Sequence, residues 1–255
     1  MHGPTELYDV SWFRLGRKVE AAAFVICISD FARSQLMGLV EAEHWAKIRV
    51  VHCGVDVDAL RPRATSNGGP QRPLRIVCVG RLVAVKGQLV LLEAVAELIG
   101  EGHDLRLELV GDGPMRAHVE RSARELGIER SVEIAGALGH PDALARVQAA
   151  DVLCLPSFAE GVPVVLMEAM ALGVPVLTTR IMGTPELVQD GVSGLLVAPG
   201  SREDLAAGLR RLIEDEALRR ALGTAGRSRV EAEFALSRSA AQLRAILEEQ
   251  LPTTS

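Results

Sequence analysis

Glu160 and Glu168 stand eight positions apart in the run Glu160-Gly161-Val162-Pro163-Val164-Val165-Leu166-Met167-Glu168, and from Val162 to Thr179 Glu168 is the only charged side chain. A carboxylate set into so apolar a segment must find hydrogen-bond donors or shift its pKa. Gly161 lets the backbone come close to a ligand, and Pro163 suits the first turn of a helix. The pattern predicts Glu160 in a loop and Glu168 about a turn and a half into the helix that follows. The free N–H groups between them would face an anion. Two acceptors of hydroxyl hydrogen bonds around a cradle for phosphate describe a sugar-nucleotide pocket.

Upstream, Gly80-Arg81-Leu82-Val83-Ala84-Val85-Lys86-Gly87 sets two cations five positions apart at the start of a predicted helix. A guanidinium binding bidentately and an ammonium acting as a point charge make a diphosphate clamp; the alternative is two solvated surface cations. Gly111-Asp112-Gly113-Pro114 follows the next predicted strand, but Arg116 stands where a dinucleotide fingerprint has its third glycine, and no Gly-Lys-Ser/Thr phosphate loop occurs. Asp56-Val57-Asp58 resembles a metal-holding Asp-x-Asp but lies away from the phosphate turns, and reads as a turn element. His2, His44, His52, His103, His118 and His140 show no metal-ligand spacing, so no metal site is expected.

These residues need a scaffold that brings loops together at one edge. Residues 74–79, 105–110, 132–135, 152–155, 174–178 and 194–197 read as strands, alternating with helices at 86–99, 114–126, 141–149 and the segment carrying Glu168. Near-continuously apolar strands alternating with helices predict a parallel sheet covered on both faces. From Ser201 on the chain reads as helical, with breaks near Gly223 and Gly226. Residues 61–73 are rich in Pro, Gly and polar residues, as linkers are. Before them lie two strands, 24–28 and 48–51, around a helix at 30–39 that Ser29 or Asp30 would cap. That is the closing portion of a second α/β domain.

Composition narrows the classes. Of 255 residues, 48% are apolar and 24% charged, ordinary for a globular protein with a sizeable core. A net charge of −5 with 3% aromatic residues speaks against a nucleic-acid binder. Cys27, Cys53, Cys78 and Cys154 sit widely spaced in apolar runs, as buried reduced thiols do in a cytoplasmic protein. No apolar run approaches the ~20 residues of a membrane span, and Met1-His2-Gly3-Pro4 does not begin a signal peptide.

Together, Val79-Gly80-Arg81-Leu82 with Lys86-Gly87, Val110-Gly111-Asp112-Gly113-Pro114, Pro156-Ser157 with Glu160-Gly161-Val162-Pro163, Glu168-Ala169-Met170-Ala171, Gly173-Val174-Pro175-Val176 and Pro185-Glu186-Leu187-Val188 with Asp190-Gly191 resemble the retaining glycosyltransferases of family 4. The resemblance covers essentially the whole chain. It implies the α/β GT-B fold, here a complete C-terminal Rossmann-like domain (74–235), the remnant of an acceptor-side Rossmann-like domain (1–60), and a last helix (236–255) crossing back toward that remnant.

The resemblance also implies roles. Arg81 and Lys86 would hold the donor diphosphate, and Glu160 would bind hydroxyls of the transferred sugar. Gly161, Val162, Pro163 and Val164 would line sugar and phosphate, Glu168 would take the ribose hydroxyls, and Leu138 would pack against the base. His2-Gly3 matches the pair whose histidine lies near the reacting sugar in the family. The implied reaction is metal-independent hexosyl transfer with retention of configuration. Its donor would be a UDP- or GDP-sugar, with no other cofactor, and its acceptor a sugar or lipid-linked molecule of cell-envelope polysaccharide synthesis. The implied place is the cytoplasm, with peripheral contact at the inner face of the membrane left open. Most of the first domain has no match, so a truncated form that binds donor but transfers little is expected. A nucleotide-sugar epimerase and a non-catalytic donor-binding module remain as alternatives.

Overall fold

The computed structural model describes residues 10–62 and 73–250; His2 and residues 63–72 of the expected linker lie outside the described residues. The first part comprises α1 (Val10–Phe13), α2 (Leu15–Ala21), β1 (Val25–Cys27), α3 (Asp30–Met37), a 3-10 turn (Ala42–Lys47) and β2 (Ile48–Val50). The second runs β3 (Leu74–Val79), α4 (Gln88–Gly100), β4 (Leu105–Val110), α5 (Arg116–Glu125), β5 (Val132–Gly136), α6 (His140–Ala149), β6 (Val152–Leu155), α7 (Val164–Ala171) and β7 (Val176–Thr179). The short α8 (Thr184–Leu187), β8 (Leu195–Val197), α9 (Arg202–Glu214) and α10 (Glu216–Glu233) complete it, and α11 (Leu236–Gln250) follows.

The strands form two separate parallel sheets, β1-β2 and the six-stranded order β5-β4-β3-β6-β7-β8. The larger order is that of the doubly wound Rossmann fold. It reverses direction between β3 and β6, the switch point at whose carboxyl edge open α/β sheets bind their ligands.

Alternation along the strands explains why both faces are covered. Ile76 and Cys78 of β3, with Val152 and Cys154 of β6, pack on one face against Leu91, Val95 and Leu98 of α4 and Leu205, Leu209 and Leu212 of α9. Val77, Leu153 and Leu155 point to the other face, against Leu166, Met167 and Met170 of α7 and Val230 and Phe234 at the end of α10. Ile28 and Val55 of the first part belong to this second core, so the two parts share apolar burial. The small sheet has its own core of Leu15, Val19, Cys27, Ala32, Leu36 and Ile48.

The two parts are also joined by polar contacts. Both carboxylate oxygens of Glu186 accept backbone N–H groups at the start of α3, from Asp30 and Phe31 at 2.8 Å each. Ser29 accepts from the Ala32 N–H at 3.1 Å, so the orphan donors of that first turn are met by one residue of its own part and one of the other. Val55 donates to Phe234 O and accepts from Leu236 N–H, and Arg49 reaches Glu249 of α11 at 3.3 Å. Asp56 Oδ1 accepts from the N–H groups of Asp58 and Ala59, the local turn expected of that motif.

One expectation fails. Helix α10 runs unbroken through Gly223 and Gly226. These glycines mark close packing: a Cβ on Gly223 would lie 2.2 Å from Gly173 O, and one on Gly226 3.1 Å from Ser193 O. The actual interruptions fall at Asp215, whose side chain caps α10 through Leu218 N–H, and at Phe234–Ala235, where the chain pairs with Val55.

Gly223→Ala is expected to destabilise the fold by about 1–3 kcal/mol through overpacking against Gly173. Gly100→Ala, whose added methyl meets nothing within 4 Å, should be neutral or stabilise by up to about 1 kcal/mol through helix propensity. Urea unfolding of the two variants measures this, and equal stabilities would remove the packing account of α10.

Candidate active site

The site is built where β3 and β6 end. The turn after β3 passes through a single 3-10 turn, Ala84–Lys86, and reaches Gly87, which is left-handed at φ 67°. A Cβ there would stand 2.1 Å from Pro156 O. Only glycine lets the turn after β3 pass this close to the end of β6. The two loops are tied by Phe158 N–H donating to Val85 O at 2.7 Å, and Gln88 Nε2 holds Arg81 O at 2.9 Å. Gly111 and Gly113, after β4, allow the same kind of approach: Cβ atoms there would lie 2.0 Å from Gly80 O and 2.4 Å from Leu82 O.

This framework brings Lys86 and Glu160 into contact, Nζ to Oε1 at 2.5 Å, with Ser157 Oγ donating to the same oxygen at 2.7 Å. The two charged side chains are 23% and 11% exposed. Ser157 is fixed in turn by Thr179 Oγ1, which donates to its carbonyl at 2.5 Å. Beneath the pair, burial pushes the Cys78 thiol up to about 12, Lys86 opposing the rise and Glu160 adding to it. Cys154, also buried, is raised well above the ordinary thiol range. Both sulfurs therefore stay protonated and are packing groups rather than nucleophiles.

Glu168 lies five residues into α7 with its side chain 12% exposed, and His140 Nε2 meets its Oε1 at 2.6 Å. The expected apolar helix with one carboxylate is present, and the donor such a carboxylate needs is a largely exposed imidazole. Leu138, two residues before His140, is partly buried against the core beside α7. Arg81 is exposed and makes no side-chain ion pair among the described residues, so the two expected clamp cations are in different states: Lys86 is engaged by Glu160, Arg81 is free to meet a ligand. Gly161, Val162, Pro163 and Val164 form the turn into α7, with Pro163 at the cap position and no side chain capping that terminus. The N-termini of α4, α5 and α6 are likewise without side-chain caps, whereas Ser201 and Asp215 cap α9 and α10.

Three contributors escaped sequence reasoning. Ser157 was visible only as part of Pro156-Ser157, although its position three before Glu160 suits a side-chain contact in a tight turn. Gln88 and His140 gave no spacing signal, because each acts on a residue brought near by the fold. Among the described residues no cluster of three metal-ligating side chains occurs, and no helix is long and apolar enough to cross a membrane.

A doubly wound sheet with charged side chains gathered on the loops of its switch point defines a Rossmann-type ligand-binding domain of the GT-B kind. Residues 64–229 match the family model described as Glycosyl transferases group 1, and the chain belongs to that family. D-inositol 3-phosphate glycosyltransferase of a Nocardioides species is 34% identical over 221 residues, covering 79% of this chain and 48% of that protein. Sucrose-phosphate synthase of Thermosynechococcus elongatus superimposes with a TM-score of 0.83 at 28% identity, over 95% of this chain and 63% of that one. Anabaena Alr3699/HepE, solved with UDP, gives 0.85 at 24% identity, over 98% and 71%. The chain spans about half the length of curated relatives such as the first of these.

Removing either partner of the Lys86–Glu160 pair leaves a poorly solvated charge. Lys86→Met and Glu160→Gln are each expected to lower stability by about 1–3 kcal/mol. The double variant should recover part of that loss, with a coupling energy of about 0.5–3 kcal/mol. A denaturant-unfolding double-mutant cycle reads the coupling, and strictly additive effects would mean that the contact contributes nothing to the fold.

Proposed function

We propose that this chain carries the donor site of a glycosyltransferase that takes a hexose from a nucleoside diphosphate sugar, with retention of configuration and without a bound metal. The observation that supports it most is the Lys86–Glu160–Ser157 contact at the switch point, flanked by helix N-termini that no side chain caps. Uncapped N-termini present backbone donors to an anion, and the diphosphate supplies one.

Arg81 and Lys86 meet the charge that grows on the leaving diphosphate, a preorganised electrostatic role. Both contacts to Glu160 fall on Oε1, which leaves Oε2 to accept a sugar hydroxyl. The N–H groups of Gly161, Val162 and Val164 line sugar and phosphate; Pro163 has none to donate. Glu168 accepts ribose hydroxyls, and Leu138 offers an apolar surface to the base. The acceptor, a sugar or lipid-linked molecule, and any role of His2 or peripheral contact with a membrane belong to this proposal as expectations.

Calorimetric titration with UDP, GDP and their sugars tests it. Arg81→Ala and Lys86→Ala should each weaken binding of the preferred diphosphate by about 1.5–3 kcal/mol, the range of hydrogen bonds to charged groups. In turnover the same changes should cost about 2–4 kcal/mol of transition-state stabilisation. Proton NMR of the product should show the donor's anomeric configuration, and EDTA should leave the rate unchanged. A double variant lacking both cations that binds and turns over donor like the parent would overturn the assignment.

A further inference from the structure

We propose that His140 is a positioning residue for the nucleoside, holding Glu168 so that its carboxylate reads the ribose hydroxyls. It rests on Glu168 serving the ribose as proposed above. Glu168 rises from a helix whose neighbouring residues Leu166, Met167, Ala169 and Met170 are fully buried and apolar. Nothing on its own helix face can donate to it. The hydrogen bond that orients it comes from another element: His140 is the first residue of α6, on the loop that leaves β5 at the same edge of the sheet.

The chemistry of the contact fixes what His140 does. At 2.6 Å from a carboxylate oxygen, Nε2 carries a proton and donates. A glutamate has three side-chain torsions and, with most of its side chain buried, little solvent to settle its head group; one short charge-assisted bond restricts it. That bond lies on Oε1. Each carboxylate oxygen has two acceptor positions, so Oε2 and the second site of Oε1 remain for a vicinal pair of hydroxyls. The imidazole is 69% exposed, so its removal opens no cavity, and the effect falls on the carboxylate rather than on the core. No part of the reacting bond is near this role by the assignment of Lys86 and Glu160 to diphosphate and sugar. His140 should therefore govern KM and nucleoside selectivity and leave kcat nearly unchanged.

The test compares UDP and GDP with their 2′-deoxy analogues by calorimetry on the parent, His140→Ala, His140→Gln and Glu168→Ala. The parent should prefer the ribonucleotide. His140→Ala should lose about ten- to a hundredfold in ribonucleotide affinity, the scale of one hydrogen bond to a charged group, with the ribo-to-deoxy preference falling toward one. His140→Gln, whose amide nitrogen reaches nearly the place of Nε2, should restore much of the preference. Unfolding midpoints equal to the parent's confirm an intact fold. If His140→Ala keeps both affinity and preference while Glu168→Ala loses them, the positioning role is wrong and the ribose assignment of Glu168 stands. If His140→Ala binds more tightly, His140 competes with the ribose, and the proposal is equally overturned. If the parent binds neither diphosphate, or ignores the 2′-hydroxyl, the donor-site assignment of Glu168 fails and takes this role with it.

Discussion

The contact between Lys86 and Glu160 sets the terms for the rest of the crevice. A partly buried ion pair is stable only if its geometry is good and its remaining polar capacity is met, so two loops from different strands must be held in register around it. The turn after β3 is drawn onto the end of β6 by the left-handed Gly87 against Pro156 O, and by Phe158 N–H on Val85 O. Ser157 donates to the carboxylate, and Thr179 holds Ser157 from β7. The ties join the ends of three neighbouring strands, β3, β6 and β7. The sheet order β3-β6-β7 is thus what lets Lys86 after β3, Ser157 after β6 and, through Ser157, Thr179 at the end of β7 bear on one carboxylate.

The helices that start at this edge share one feature. An uncapped helix N-terminus forgoes a cap contribution of about 1 kcal/mol, and the four helices after β3, β4, β5 and β6 all lack side-chain caps. Elsewhere the pattern is mixed: Ser29, Ser201 and Asp215 cap α3, α9 and α10, whereas α2 and α8 have no side-chain cap either. Helix α3 is the informative case, because Glu186 adds a carboxylate from the other part to a terminus that Ser29 already caps. A negative charge at a helix N-terminus is favourable in itself. Here it also fixes how the first part sits against α8, whose own backbone Arg229 grips through Glu186 O and Leu187 O. Next to it, a Cβ on Gly183 would strike Gly161 O at 2.5 Å and approach Ser29 Cβ at 3.1 Å. The seam between the two parts therefore runs beside the loop that carries Glu160.

Much of this was legible in the chain. The doubly wound sheet followed from near-continuously apolar strands separated by helices, with Arg81, Lys86 and Glu160 on the turns after strands and Glu168 inside the helix that follows, as the sequence pattern implied. Local periodicity carries that information well. It carries helix ends less well: Gly223 and Gly226 look like breaks by propensity, yet neighbouring backbone at Gly173 and Ser193 leaves no room for a side chain, and the helix persists. Tertiary contact overrode propensity there. Glu108 was also obscured. It sits inside a strand, its pKa raised by burial, with Arg146 3.0 Å away on α6 and Arg75 3.8 Å away on β3. No spacing along the sequence shows a partner that the fold brings from elsewhere.

That limit bears most on the carboxylates. From sequence, Glu160 and Glu168 form a matched pair in one motif, each in need of donors. In the structure they are unlike. Glu160 shares one oxygen between an ammonium and a hydroxyl and lies at the switch point of the sheet, its charge balanced by Lys86. Glu168 meets a single imidazole from the start of α6, in a setting that is apolar on its own helix and open at His140. Equal residue types in one motif thus acquire different chemistry from the strand whose loop reaches them, β3 for the first and β5 for the second. The difference between the two carboxylates is accordingly a property of strand order: β3 borders β6 directly, and β5 lies at the sheet's edge, two strands further out.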